Sequence, residues 1–225
     1  MPYPVDAMNL FDLSLLADQI QRVIGARESE LRLEQAVYGL DSSDESALHA
    51  LLANGLAADY DIAREVHYPS TAGRKLTHRE RCDLVLAPIG RPLRLDSRPA
   101  GLFDPPDQTP PSHAMWLEIK VAWQFRQPDV RHAGYGQQWR NAVVADLRKM
   151  EAEAVIRQAA LLLVVFTESE AIVQKDIELF ERVLIKKEVL AGFRQVRAVA
   201  IQDRIGHQLC TIAIWPTIQR GSEHS

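Results

Sequence analysis

From residue 9 to residue 37, apolar positions recur every three or four residues, with Leu10, Leu13, Leu16, Ile20, Val23 and Ile24 along one side. This spacing predicts a helical N-terminal region. A second helix is expected in "DSSDESALHALLANGLA": Ser42 or Ser43 supplies the cap, acidic residues fill the first turn, and the Asn54-Gly55 pair marks its weakening or end. The period then shortens to two. "DIAREVHYP" alternates and stops at Pro69, as a strand should, and "CDLVLAP" follows as a short apolar strand ending at Pro88. Residues 90–113, centred on "RPAGLFDPPDQTPPSHA", are rich in Pro and polar residues and read as a loop or inserted hairpin between two core strands.

"MWLEIKVAWQF", residues 115–125, is dense enough in Trp, Leu, Ile, Val and Phe to be a strand buried on both faces. "QPDVRHAGYGQQWR" leads through a Gly-containing loop into a helix expected at about 137–158. "ALLLVVFTE" is the next buried strand, "SEAIVQKDIELFERVLIKKEVL" a strongly amphipathic helix, and "FRQVRAVAIQ" and "HQLCTIAIWPTI" the last two strands. No internal repeat or heptad array interrupts this order. Helices, then three strands, then alternating helices and strands predict an α/β or α+β fold, a mixed sheet flanked by helices. The expected organisation is a helical N-terminal region over 1–40, suited to docking or dimerisation, a main domain over 41–218 and a frayed tail over 219–225.

Composition narrows the function classes. At 225 residues and 47% hydrophobic, the chain suits one sizeable domain with appendages. Its two cysteines, Cys82 and Cys210, form no CxxC or His/Cys cluster, so neither a disulfide framework nor a zinc site is expected. "MPYPVDAMNLFDLSL" lacks the basic flank and apolar run of a signal peptide, and no stretch approaches the ~20 apolar residues of a membrane span. A cytoplasmic protein without membrane contact is the expectation. The net charge of −4 argues against nonspecific coating of polyanions and permits a local basic groove.

The candidate chemistry lies in two strands. A buried charge costs several kcal/mol unless it is paired or bound to a metal, yet the apolar 115–125 strand carries Glu118 and Lys120. Two positions apart, they project from one face, about 6.6 Å from each other along the chain. Asp83 leads the apolar "CDLVLAP" run in the same manner, and pairing of the two strands across the 90–113 loop would bring it to the end where Glu118 and Lys120 project. Two carboxylates make a hard-oxygen site suited to Mg²⁺ or Mn²⁺, and the lysine beside them would orient or activate a water and offset charge on a pentavalent phosphate. An acidic-x-Lys triplet is common by chance. This one gains weight because it is the only such triplet in the chain, lies within an apolar strand, and follows a strand-initial Asp at a hairpin's separation. The plain alternatives are a solvated or salt-bridged Glu118/Lys120 pair at a sheet edge and a strand-capping Asp83.

Asp83 some 35 positions ahead of Glu118-Ile119-Lys120, with an amphipathic helix and a strand before and an α/β segment after, resembles the PD-(D/E)XK nuclease superfamily over roughly residues 43–167. The resemblance implies a restriction-endonuclease-like fold, with Asp83 and Glu118 as ligands of Mg²⁺ or Mn²⁺ and Lys120 as the catalytic lysine. The chain departs from the motif at Cys82, where the family name has Pro. Members often place a further Glu on the helix before the first strand, where this chain offers Glu45; Glu65 in the first strand is its rival. The implied activity is metal-dependent hydrolysis of nucleic-acid phosphodiesters, DNA favoured, by a homodimer or a subunit of a larger nuclease complex, in a setting such as bacterial defence. The alternatives are a catalytically inactive nucleic-acid-binding or assembly module of the same fold and, more remotely, another hydrolase using the Glu as a general base.

The remaining candidates have structural explanations beside the functional ones. His113, His132 and His207 are scattered and read as surface or satisfied histidines. No G-x-S-x-G, P-loop or G-x-G-x-x-G motif is present. Tyr135, Gln137, Gln138 and Trp139 could stack on a base, or could simply pack a helix start. Asp146, Arg148 and Lys149 lie on the helix after the central strand, either as a solvated face or as contacts to a nucleic-acid backbone.

Overall fold

Asp12 opens the first helix, its carboxylate accepting the backbone N–H groups of Ser14 and Leu15 at 2.8 and 3.3 Å. The computed structural model describes residues 11–36, 38–72, 80–94, 107–127, 130–202 and 206–218. The tail 219–225, residues 1–10 of the expected helical region and the middle of the 90–113 loop lie outside them. Helix α1 runs over Leu13–Leu33 and α2 over Glu45–Leu56. The cap of α2 is Asp44, which accepts from Ala47 N–H at 2.7 Å, in place of the expected Ser42 or Ser43. The helix ends at Leu56, one residue past the Asn54-Gly55 pair. Gly55 lies where α2 crosses α1, and a Cβ there would meet both Val23 methyl carbons at 2.5 Å, so its missing side chain permits a close approach.

Strands β1 (Tyr60–His67), β2 (Arg81–Pro88) and β3 (Met115–Trp123) follow, then a two-stranded ribbon of β4 (Phe125–Gln127) and β5 (Val130–Arg131) that the hydrophobic pattern did not suggest. Helix α3 spans Tyr135–Glu151, strand β6 Gln158–Thr167, helix α4 Glu170–Lys186, strand β7 Gln195–Ala200 and strand β8 Leu209–Pro216. The helix expected to reach residue 158 stops seven residues earlier, at Glu151, because residues 158–167 pair as a strand.

The result is an α+β fold: a six-stranded mixed sheet in the order β1-β2-β3-β6-β8-β7, flanked by helices. Among the described strands of this sheet, β3 and β6 form the one parallel pair, joined through α3. Leu16, Ile20 and Ile24 of α1 and Leu48, Leu52 and Leu56 of α2 pack with Leu84, Leu117, Ile119, Leu162 and Ile212 on one face. Val143, Leu147 and Met150 of α3 and Ile177, Phe180 and Leu184 of α4 pack with Val85, Trp116, Leu161, Leu163 and Trp215 on the other. The central strands are therefore covered on both sides, which is why they read as continuous apolar runs. The apolar stripe of α1, expected to suit docking, faces the chain's own sheet. Asp18 and Gln21 further tie α1 to edge strand β7, through Arg197 at 2.5 Å and the carbonyl of Ala198 at 2.8 Å.

His207 is buried, accepts Phe125 N–H at Nε2 (3.1 Å) and lies 2.9 Å from Asp41 Oδ2 at Nδ1. The accepting Nε2 requires the proton on Nδ1, which then donates to Asp41. This is a satisfied structural histidine. Among the described residues, no helix is long and apolar enough to cross a membrane.

Candidate active site

The sheet opens between β2 and β3. Strands β2 and β3 pair only at Leu84/Leu117, Val85/Trp116 and Leu86/Met115, whereas β3 and β6 stay in register from Met115/Gln158 to Trp123/Phe166. The next antiparallel pair would be Asp83 with Glu118, and there the ladder ends. Asp83 replaces the missing backbone partner with its side chain, Oδ2 accepting the N–H of Ile119 at 2.7 Å. On the other side of β2, the β1 ladder skips Glu65/Asp83, and Glu65 adopts a left-handed backbone with φ 51°. Alternation slips by one residue at this point. Ile62 and Leu84 pack on the α1/α2 face, while Val66, four residues after Ile62, and Cys82, two before Leu84, pack on the α3/α4 face, although an even spacing should keep them on one side. A left-handed conformation is uncommon for a residue with a side chain and marks a local device rather than regular strand.

Both helical layers reach this gap. From α2 come Glu45 and His49, one turn apart; from α3 come Asp146 and Lys149. Lys120 Nζ lies 3.3 Å from Asp146 Oδ2 on one side and 4.0 Å from Glu45 Oε1 on the other, so its ammonium sits where the two layers meet through the sheet. Glu118 is 2% exposed. Its Oε1 accepts the hydroxyl of Tyr68 and the ammonium of Lys149, each at 2.6 Å. His49, 8% exposed, has Nδ1 3.9 Å from Asp83 Oδ1 and Nε2 3.8 Å from Glu45 Oε1, beyond hydrogen-bond distance in both cases.

The structure thus brings Asp83, Glu118 and Lys120 to one cleft, with both candidate glutamates at its rim. Burial, together with the neighbouring Asp83 carboxylate, pushes the pKa of Glu118 up to about 7 against the opposing pull of Lys149 and Tyr68. Burial also raises Asp83, although the Ile119 N–H and Lys120 oppose it. Hydrogen bonding with Glu118 also opposes the rise of Asp83. Burial alone would lower the two lysines, but surrounding carboxylates outweigh it: Asp146, Asp83, Glu45 and Glu118 raise Lys120, and Glu118 with Asp146 raises Lys149. His49 is lowered by its burial.

Two sets of donors suit a divalent cation. One is the Asp83/Glu118 pair, two partly or fully buried carboxyl groups. The other is His49, Glu65 and Asp83, which offer three ligand atoms all within 4.8 Å of one another. Asp83 belongs to both. Its Oδ2 is engaged by the backbone, and Oδ1 is turned toward His49.

Four participants were hidden or undervalued in the sequence. His49 stands one turn after Glu45, a spacing that puts both on one helix face. Asp146 and Lys149 read equally well as a solvated face, and Tyr68 follows its strand with no motif around it. The Tyr135–Trp139 segment is the first turn of α3, and Trp139 is buried with its ring centroid 5.4 Å from that of Phe180, so helix packing accounts for it. Arg148 donates to the carbonyl of Lys187 at 2.9 Å. Comparison of the chain with protein-family models, curated proteins and solved structures returns no match.

Proposed function

We propose that the chain is a divalent-metal-dependent nuclease that hydrolyses nucleic-acid phosphodiester bonds, with DNA the favoured substrate. The observation that carries this reading is the convergence of Asp83, Glu118 and Lys120 at the opened β2/β3 ladder. Asp83 and Glu118 would hold Mg²⁺ or Mn²⁺, an ion that lowers the pKa of water and neutralises charge on a phosphodiester. Lys120 stays an ammonium, because its surrounding carboxylates raise its pKa. It therefore suits stabilisation of a negatively charged phosphate oxygen better than removal of a proton. Asp146 and Glu45 flank that ammonium and act as positioning residues. Action in the cytoplasm, as a homodimer or a subunit of a larger nuclease complex, is part of the same proposal, since cutting both strands of a duplex commonly needs two sites. Defence against foreign DNA is the setting the family resemblance suggests.

One observation favours a second reading, a non-catalytic nucleic-acid-binding or assembly module: Glu118 is almost fully covered, and one of its oxygens already serves Tyr68 and Lys149. Incubation with supercoiled plasmid, linear duplex, single-stranded DNA and RNA, each with Mg²⁺, Mn²⁺ or chelator, separates the two. Cleavage by the wild type that disappears in Asp83→Asn and with chelator supports the nuclease. Nucleic-acid binding without cleavage in any metal supports the module.

A further inference from the structure

His49 is a buried, weakly partnered imidazole in a cleft otherwise lined by carboxylates and ammonium groups. Its residue is more than nine-tenths buried, and Nε2 has no hydrogen-bond partner. The nitrogen turned toward Asp83 is Nδ1, which at 3.9 Å also stands beyond hydrogen-bond distance of that carboxylate, and this raises the question of what fills the space between them. Its surroundings supply an answer. The slip in alternation at Glu65 and Asp83 brings these two side chains to the α2 side of the sheet, together with His49. Without the left-handed backbone at Glu65, regular alternation would not keep both carboxylates beside α2.

We infer that His49, Glu65 and Asp83 form a three-ligand site for a first-row transition divalent cation, selective for Mn²⁺ over Mg²⁺. This deepens the reading of the cleft as a metal centre and names its metal class. Two ligand atoms bound to one ion at about 2.1 Å each can stand at most about 4.2 Å apart, and His49 Nδ1 is 3.9 Å from Asp83 Oδ1, the oxygen that Ile119 leaves free. The ligand atoms of the whole trio all lie within 4.8 Å of one another, and Glu65 is its exposed member. Selectivity follows from donor chemistry. Mg²⁺ prefers oxygen and retains its waters, whereas an imidazole nitrogen suits first-row transition ions. Glu118, held by Lys149 and Tyr68, need not leave its partners for this site to fill. Asp83 would then be the shared ligand between the trio and any ion bound at Glu118.

The test is Mn²⁺ binding by chelator-stripped protein, read from loss of the free-ion electron paramagnetic resonance signal, with Mg²⁺ as competitor. Wild type, His49→Gln and Glu65→Gln are compared, with melting curves to establish that each is folded. The inference expects one Mn²⁺ per chain, bound at least tenfold more tightly than Mg²⁺. His49→Gln should lose about tenfold or more in Mn²⁺ affinity and little in Mg²⁺ affinity, so that the preference collapses. Glu65→Gln, altered at an exposed side chain, should weaken both ions. Wild-type affinities that are equal for the two metals, an unchanged Mn²⁺ affinity in folded His49→Gln, or an unchanged affinity in Glu65→Gln would each overturn the site. Plasmid cleavage is scored separately: Mn²⁺ binding of the expected pattern with no cleavage keeps the metal site and removes the nuclease, and cleavage with no Mn²⁺ preference does the opposite.

Discussion

Lys149 Nζ stands 2.6 Å from Glu118 Oε1, the oxygen that also accepts the Tyr68 hydroxyl. The same ammonium lies 5.1 Å from the centre of the Tyr68 ring. A lysine from α3 thus neutralises a carboxylate inside the sheet and competes with any metal for it. Replacing Lys149 by Met should lower stability by about 1–3 kcal/mol at slightly alkaline pH and by less at mildly acidic pH, where Glu118 can take up a proton instead. Saturating Mn²⁺ should then raise the melting temperature more in the variant than in the wild type. A variant as stable as the wild type at both pH values would show that the ion pair contributes nothing net.

Glu118 sets a pH dependence of defined sign. Its ordinary value of 4.5 is raised to about 7 in the fold, so between these values the folded chain binds a proton that the unfolded chain has released. Stability from this group is fully present below about 4.5 and is lost as pH rises through 7, a change on the order of 3 kcal/mol. Glu118→Gln removes the titration. Urea unfolding of both proteins at about pH 5 and pH 7.5 should show the wild type losing stability relative to the variant toward the higher pH; a constant difference would contradict the placement of this carboxylate.

Lys120 separates catalysis from scaffold. Lys120→Ala should reduce metal-dependent cleavage by on the order of 10² or more, with little change in melting temperature, because Asp146 retains Lys149 at 3.1 Å. Glu118→Gln should lose cleavage together with metal affinity. Normal cleavage by a well-folded Lys120→Ala protein would end the assignment of this lysine.

Gly55 offers a check on packing that is independent of function. Alanine gains about 1 kcal/mol in helix propensity over glycine. Its methyl would lie 2.5 Å from both Val23 methyl carbons, however, and relieving that overlap costs about 1–3 kcal/mol. Gly55→Ala should be destabilised in urea unfolding, and Gly55→Ala combined with Val23→Ala should recover part of the loss.

The sheet and helices were legible because burial writes itself into sequence as period. Ala159–Phe166 reads as a central strand since both of its faces meet helices, and α1 and α4 show their apolar stripes plainly. Boundaries were less visible where two local signals competed. Asp44 displaced the serines as cap, and Gly55, which lies one residue before the end of α2, also serves a helix crossing that its sequence did not show. Within the cleft, Asp83, Glu118 and Lys120 stood out as charges in apolar strands. Tyr68, His49, Asp146 and Lys149 did not, because each is an ordinary residue on its own element and becomes part of the cleft only through the crossing of helices over the sheet. The left-handed Glu65 has no sequence signal at all, since nothing local favours that conformation for glutamate.

The bond from Ile119 N–H to Asp83 Oδ2 gives this cleft a built-in reporter. Elsewhere in the middle of the sheet an amide is shielded by a backbone carbonyl, and deuterium enters only when strands separate. At Ile119 the shield is a titratable side chain, so the rate at which this one amide exchanges follows the charge and the engagement of Asp83. A single nitrogen resonance can therefore register an ion or an acidified cleft while the rest of β3 stays silent.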